Sequence, residues 1–291
     1  MSINNIILGT VQFGLNYGIN NKKVKPNSKE IEKILNFAYD SGVNMLDTAE
    51  AYGTSQLEIG KYHKKSNHKF KVITKYHSNF ITLDHNIEKR ILNNIKELGV
   101  SNLYSYMFHS FNDFVNNYKK NIDQLMICKE KGLFEKTGVS IYTNSEFETV
   151  LNEYNVDLIQ LPFNLLDNVN KRKKLIEKAK IRGIEIHTRS AFLQGLFFMQ
   201  INSIPQKIYP LRNALIQLNQ IAKSYNIDIN QIALNYVMQQ DGIDKVLIGV
   251  DNLNQLKTNL NNIDYILNNE IIELVNKINI EDENLLNPSN W

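Results

Sequence analysis

A chain of 291 residues has room for two average domains or for one α/β barrel, which takes about 250 residues. Apolar residues make up 43% and charged residues 22%, which excludes a disordered chain and supplies ample material for a core. A net charge of +3, with no basic stripe interleaved with aromatics, gives no reason to expect nucleic acid. The one cysteine, Cys128, excludes an intramolecular disulfide framework. Residues 1–9 lack the features of a secretion signal, and no apolar run approaches the ~18 residues of a membrane span. The expected setting is the cytoplasm, away from membranes.

Short β-rich apolar runs alternate with longer segments of helical spacing. Residues 3–11 read as the first strand and 28–41 as its helix, with Ser28 as N-cap and Gly42 as the residue past the end. A strand over 43–47 leads to a helix over 55–63, and a strand over 70–75 to a helix over 83–98. A strand over 103–109 leads to a helix over 112–131, stopped at Gly132. The second half repeats the scheme: strand 136–140 and helix 145–152, then strand 156–161 and helix 170–181. Strand 184–190 precedes two helices, 211–225 and 229–239, and strand 245–248 precedes helix 253–260.

Eight strand–helix units are the count of a (β/α)8, or TIM, barrel. No Pro/Gly/Ser-rich linker divides the chain, so the expected fold is a single-domain α/β barrel over 1–291, with a C-terminal helix (269–278) and short tail after about residue 268. The alternative, an open doubly wound sheet, normally begins with a glycine-rich G-x-G-x-x-G turn. The first turn here reads Gly9-Thr10-Val11-Gln12-Phe13-Gly14. No HExxH, paired Cys or clustered His suggests a metal site.

Active sites of such barrels sit at the carboxyl ends of the strands. There the sequence places Asp47, Lys75 and His109, with Tyr52 five residues past Asp47. Each alone has a structural reading: a turn cap, a snorkelling amine, a core imidazole, a packing ring. On consecutive strand ends they form an acid, a cation, an imidazole and a phenol in one place. A buried Lys75 needs a partner, and Asp47 is the natural one.

Asp47-Thr48-Ala49 with Tyr52-Gly53, then Ser55 and Leu57-Glu58-Ile59-Gly60, resembles the signature of the aldo-keto reductases. The resemblance runs nearly end to end, through Leu8-Gly9-Thr10, Lys75, His109, Gly138-Val139-Ser140, Gln160-Leu161-Pro162-Phe163-Asn164, Gln194-Gly195-Leu196 and Ile248-Gly249 with Asn259. It implies an NAD(P)(H)-dependent enzyme that interconverts an aldehyde or ketone, including sugars, with an alcohol. Tyr52 would be the general acid, made a readier proton donor by Lys75; Asp47 would hold Lys75 charged, and His109 would orient the carbonyl. Thr10, Ser140, Gln160, Arg189, Ser190, Gln194, Gly195, Ile248, Gly249, Gln255 and Asn259 would line the cofactor, and Phe13, Tyr17, Tyr76 and Phe111 the substrate rim. Rival readings are a cofactor-binding sensor on the same barrel and a sugar lyase or epimerase.

Three departures from the family pattern stand out. Ile141 follows Ser140 where many members have Asn. Arg189 stands where members often have an aromatic that stacks on the nicotinamide; it can stack, bind an anionic group of the substrate, or pair with a structural acid. After the eighth strand, Gln255 replaces the expected Arg, Lys257 is the only cation of that stretch, and Asp251 would repel a phosphate. NADPH is the family default, with NADH open.

Overall fold

Parallel strands need long crossovers, and helices supply them here. The computed structural model describes residues 2–21, 25–78 and 86–291. Eight parallel strands close in chain order: β1 (Ile6–Gly9), β2 (Met45–Asp47), β3 (Lys71–Tyr76), β4 (Leu103–Phe108), β5 (Phe134–Ser140), β6 (Leu158–Pro162), β7 (Glu185–Arg189) and β8 (Lys245–Gly249), which pairs back onto β1. A single turn, α1 (Val11–Gly14), and α2 (Ser28–Asp40) follow β1. The next crossovers are α3 (Ser55–Lys65), α4 (Ile87–Leu98), α5 (Phe111–Glu130), α6 (Asn144–Glu153) and α7 (Val169–Ile181). Two helices, α8 (Arg212–Tyr225) and α9 (Ile229–Met238), separate β7 from β8, and α10 (Leu253–Asn261) and α11 (Asn269–Asn276) close the chain. The fold is the expected (β/α)8 barrel.

Local chemistry moves several boundaries. Asn27, not Ser28, caps α2: its side chain accepts from the amides of Lys29 and Glu30, and Glu30 reaches back to the Asn27 amide. That reciprocal box leaves Ser28 as the first helical residue. Gly42 and Gly132 both take the left-handed conformation expected at a helix end (φ 97° and 72°). The first strand is shorter than 3–11 because Ile3–Asn5 is a 3-10 turn and the chain turns helical again at Val11. The fourth helix starts at Ile87 under an Asn86 cap, and its expected start at Leu83 lies outside the described residues.

The core has two layers. A large outer one joins outward-facing strand residues to the helices, and a small inner one fills the barrel with Ile7, Met45, Ile73, Met107, Leu158 and Leu247. Among the described residues no helix is long and apolar enough to cross a membrane, and no cluster of three His, Cys, Asp or Glu residues is placed to hold a metal.

Candidate active site

Side chains alternate along a strand, so the residue two past each inner-layer residue faces the same way, one step nearer the carboxyl end. Two past Met45 is Asp47; past Ile73, Lys75; past Met107, His109; past Leu158, Gln160; past Ile7 and Leu247, Gly9 and Gly249. All six line one cavity of about 660 Å³ at the barrel mouth. Its walls also hold Thr10, Tyr17, Tyr52, Ser140, Arg189, Ser190, Gln194, Gly195, Gln255 and Asn259.

The same period of two explains what lies elsewhere. Tyr76 follows the inward Lys75 and so points outward, where the Arg90 guanidinium sits 4.2 Å from its ring. Ile248, between Leu247 and Gly249, joins the outer core for the same reason. Phe13 is fully buried in that core, and Phe111 packs against it from the start of α5. Of the four rim residues expected, Tyr17 alone lines the cavity. Period two could have placed Tyr76 and Ile248 from the sequence; nothing there singles out Gln12, Tyr142 or Asn20, which also line the cavity.

The loop from Asp47 to Gly53 is fixed at almost every residue. Lys75 Nζ donates to Asp47 Oδ1 at 2.5 Å and to the Thr48 carbonyl at 3.0 Å, with both charged side chains almost fully buried. Gln160 Nε2 donates to the other Asp47 oxygen at 2.9 Å. Thr10 Oγ1 donates to the Asp47 carbonyl, and the Ser55 hydroxyl joins Thr48 to Thr10. Glu50 points away from the cavity and takes hydrogen bonds from Arg90, Asn94, Tyr106 and the His77 amide. Gly14 has to be glycine because a Cβ there would collide with the Tyr52 carbonyl oxygen. The loop is therefore clamped between β1 and α4, and it presents the Tyr52 ring 5.3 Å from Lys75 Nζ and edge-on to His109, centroids 5.5 Å apart.

Burial governs the titration of these groups. It holds the Tyr52 phenol well above its ordinary value, with Asp47 adding to the rise and Arg189 opposing it. Lys75 Nζ stands 5.3 Å from the Tyr52 ring with its charge paired to Asp47. Burial draws the Lys75 ammonium below its usual range, and Asp47 works against that. His109 falls to about 3, first through burial and then through Lys75, His77 and Arg189, so its ring is neutral at pH 7. Its buried Nδ1 has no hydrogen-bond partner among the described residues.

Arg189 has no acidic partner among the described residues. Its guanidinium lies 4.0 Å from the Tyr142 ring and donates to Ser140 Oγ (3.3 Å) and the Ile141 carbonyl (3.0 Å). The Ile141 side chain itself is fully buried in the outer core, which is how an apolar residue fits after Ser140. Beyond β7, Ser190, Leu193, Gln194 and Gly195 all have φ between 46° and 85°. Three of them are not glycine, so this turn is strained, and such turns gather backbone amides into anion-binding hollows. The cavity continues to Asn230, Asp251, Asn252, Gln255, Thr258 and Asn259. Gln255 folds back on Asp251, accepting from its amide at 2.7 Å. Lys257 does not line the cavity; its ammonium sits 5.4 Å from the Phe37 ring.

The model of the Aldo/keto reductase family matches residues 5–280, nearly the whole chain. The chain is an aldo/keto reductase. A D-arabinose 1-dehydrogenase of Saccharomyces cerevisiae is 23% identical over 275 residues, covering 84% of this chain and 80% of the yeast protein. Among solved structures, the holo form of aldo-keto reductase AKR11C1 from Bacillus halodurans superposes with a TM-score of 0.77 at 17% identity, covering 96% of this chain and 94% of the other. The glycerol dehydrogenase AKR11B4 from Gluconobacter oxydans gives 0.73 at 19% identity, covering 94% and 90%. As an aldo/keto reductase the chain is an NAD(P)-dependent oxidoreductase, a family that acts on small-molecule carbonyl compounds.

Proposed function

We propose that the chain reduces an aldehyde or ketone, or oxidises the matching alcohol, in the mouth of the barrel with Tyr52 as general acid. The observation that carries this is the convergence of Tyr52, the Asp47–Lys75 pair and His109 on one wall of the cavity. The cavity fits a dinucleotide: it is of ligand size, it has a strained positive-φ turn suited to phosphates, and it holds neutral hydroxyl and amide groups from Ser140 to Asn259. Ser140, Gln160, Ser190, Gln194, Gly195, Gly249 and Asn259 would hold the nicotinamide cofactor, which when bound supplies or accepts the hydride.

The residues of the chain handle the proton. The neutral His109 ring offers one N–H to the carbonyl oxygen and fixes its place. As negative charge grows on that oxygen, Tyr52 gives it the phenolic proton. Burial keeps the phenol protonated until then, and Lys75 and Arg189 supply fixed positive charge beside the phenolate left behind. Asp47 and Gln160 keep Lys75 aimed.

At the adenosine end the described lining carries Asp251 and no cation. We therefore propose a weaker preference for NADPH over NADH than a basic clamp would confer. The test is to titrate both cofactors by fluorescence, then follow loss of NAD(P)H absorbance with a broad panel of aldehydes, ketones and sugars. Tight binding and turnover on some member are expected. Absence of any cofactor binding would overturn the reading.

A further inference from the structure

We propose that Arg189 is a specificity-determining residue and that the cavity takes a carbonyl compound that also carries a carboxylate. This rests on the reading of the mouth as the reaction site and narrows its substrate class.

Charge balance is the first argument. The charged side chains on the described lining are Asp47, Lys75, Arg189 and Asp251. Asp47 and Lys75 cancel each other at 2.5 Å. Asp251 lies beyond β8, where it accepts from Asn21 and Gln255. Arg189 is left as uncompensated positive charge on the half of the cavity that holds Tyr52. Its field is felt there, opposing the rise of the Tyr52 pKa and adding to the fall of those of Lys75 and His109. A half-buried cation without a carboxylate of its own is costly to keep. An anionic ligand offsets that cost.

Geometry is the second. A guanidinium has five N–H donors. Nε uses its one on Ser140, Nη2 gives one to the Ile141 carbonyl, and Nη1 gives one to Ser190 Oγ at 3.5 Å. One N–H remains on each terminal nitrogen, so two charge-assisted donors are left for a carboxylate. Tyr142 covers one face of the group, so the plane is held before any ligand arrives.

The same anion chemistry could come from the cofactor phosphates, and the experiment separates the two. Matched pairs are assayed with the parent, Arg189→Gln and Arg189→Lys: succinic semialdehyde against butanal, and glucuronate against glucose. The parent should favour the carboxylate member at least about tenfold in kcat/KM. Arg189→Gln should shrink that ratio about tenfold, mainly through KM, and Arg189→Lys should restore part of it. No preference in the parent overturns the proposal. So does an Arg189→Gln variant that keeps the preference but loosens NADH and NADPH alike, which would give the guanidinium to the phosphates. Should no carbonyl compound turn over, the reading of the reaction fails separately, and calorimetry decides this one. Glucuronate binding to the parent, absent for glucose and lost in Arg189→Gln, supports it; equal or no binding overturns it.

Discussion

The two ends of the barrel hold nearly the same set of side chains. At the mouth stand Asp47, Lys75, Tyr52 and His109; toward the amino ends stand Glu185, Lys136, Tyr104 and His187. In the lower set Tyr104 donates to both Glu185 oxygens at 2.8 Å, His187 Nε2 lies 2.6 Å from Glu185, and Lys136 pairs with Glu185 and donates to the Tyr104 hydroxyl. Both imidazoles are pushed to about 3 by burial. What differs is access: all four upper residues line the large cavity, and none of the lower four does. An acid, an amine, a phenol and an imidazole in contact are thus no signature of catalysis by themselves. We propose the upper set as the reaction site because it opens onto space that a substrate can enter, at the end where the βα loops gather.

The sharpest way to break this contrast is to remove one phenol from each end. Tyr52→Phe should lower kcat at least about 100-fold while the cofactor Kd stays within about twofold, because the proton is needed only in the chemical step. Tyr104→Phe should leave turnover within about twofold. Equal loss from both, in steady-state assays with fluorescence titrations alongside, would erase the distinction.

The acids come next. Asp47→Asn strands Lys75 as a buried charge, which should cost about 3–5 kcal/mol of stability and slow turnover. Glu185→Gln, in a less deeply buried ion pair, should cost about 1–3 kcal/mol and leave cofactor binding unchanged. Urea unfolding of the two variants measures both.

A smaller effect sharpens the picture of the upper cavity alone. Gln255→Arg would add a fork for a 2′-phosphate, so NADPH should tighten about tenfold while NADH changes little. Tightening of both alike would put the phosphate elsewhere.

In acid the two ends should behave alike. His109 and His187 are neutral in the fold down to about 3, whereas an unfolded imidazole titrates near 6.5. Between those values the unfolded chain binds protons that the folded chain does not. Their contribution is complete above about pH 6.5 and is lost as pH falls toward 3, at up to about 1.4 kcal/mol per pH unit for each ring. Unfolding curves from pH 7 to 4.5 should therefore slope less steeply in His187→Gln than in the parent; equal slopes would mean His187 already carries its proton.

The sequence by itself determined the barrel and most of the constellation. Eight alternations of period-two and helical spacing leave few other folds, because each apolar strand must be covered by the helix that follows it. Asp47, Lys75 and His109 were legible because they end strands, and Tyr52 because its loop is short. Helix ends were less so: Asn27 displaced Ser28 because a capping box depends on which side chain reaches back. Period two along a strand also implies that Tyr76, beside the inward Lys75, points at the helices. Only the tertiary structure decided what lies outside the strands and what each residue touches: Phe13 is an aromatic near the mouth in sequence, yet its one-turn helix buries it in the outer core. Arg189 could stack, bind an anion or pair with an acid on sequence grounds. Among the described residues the fold left it without an acid, because partners are set by contacts between distant strands, which spacing along one chain does not encode.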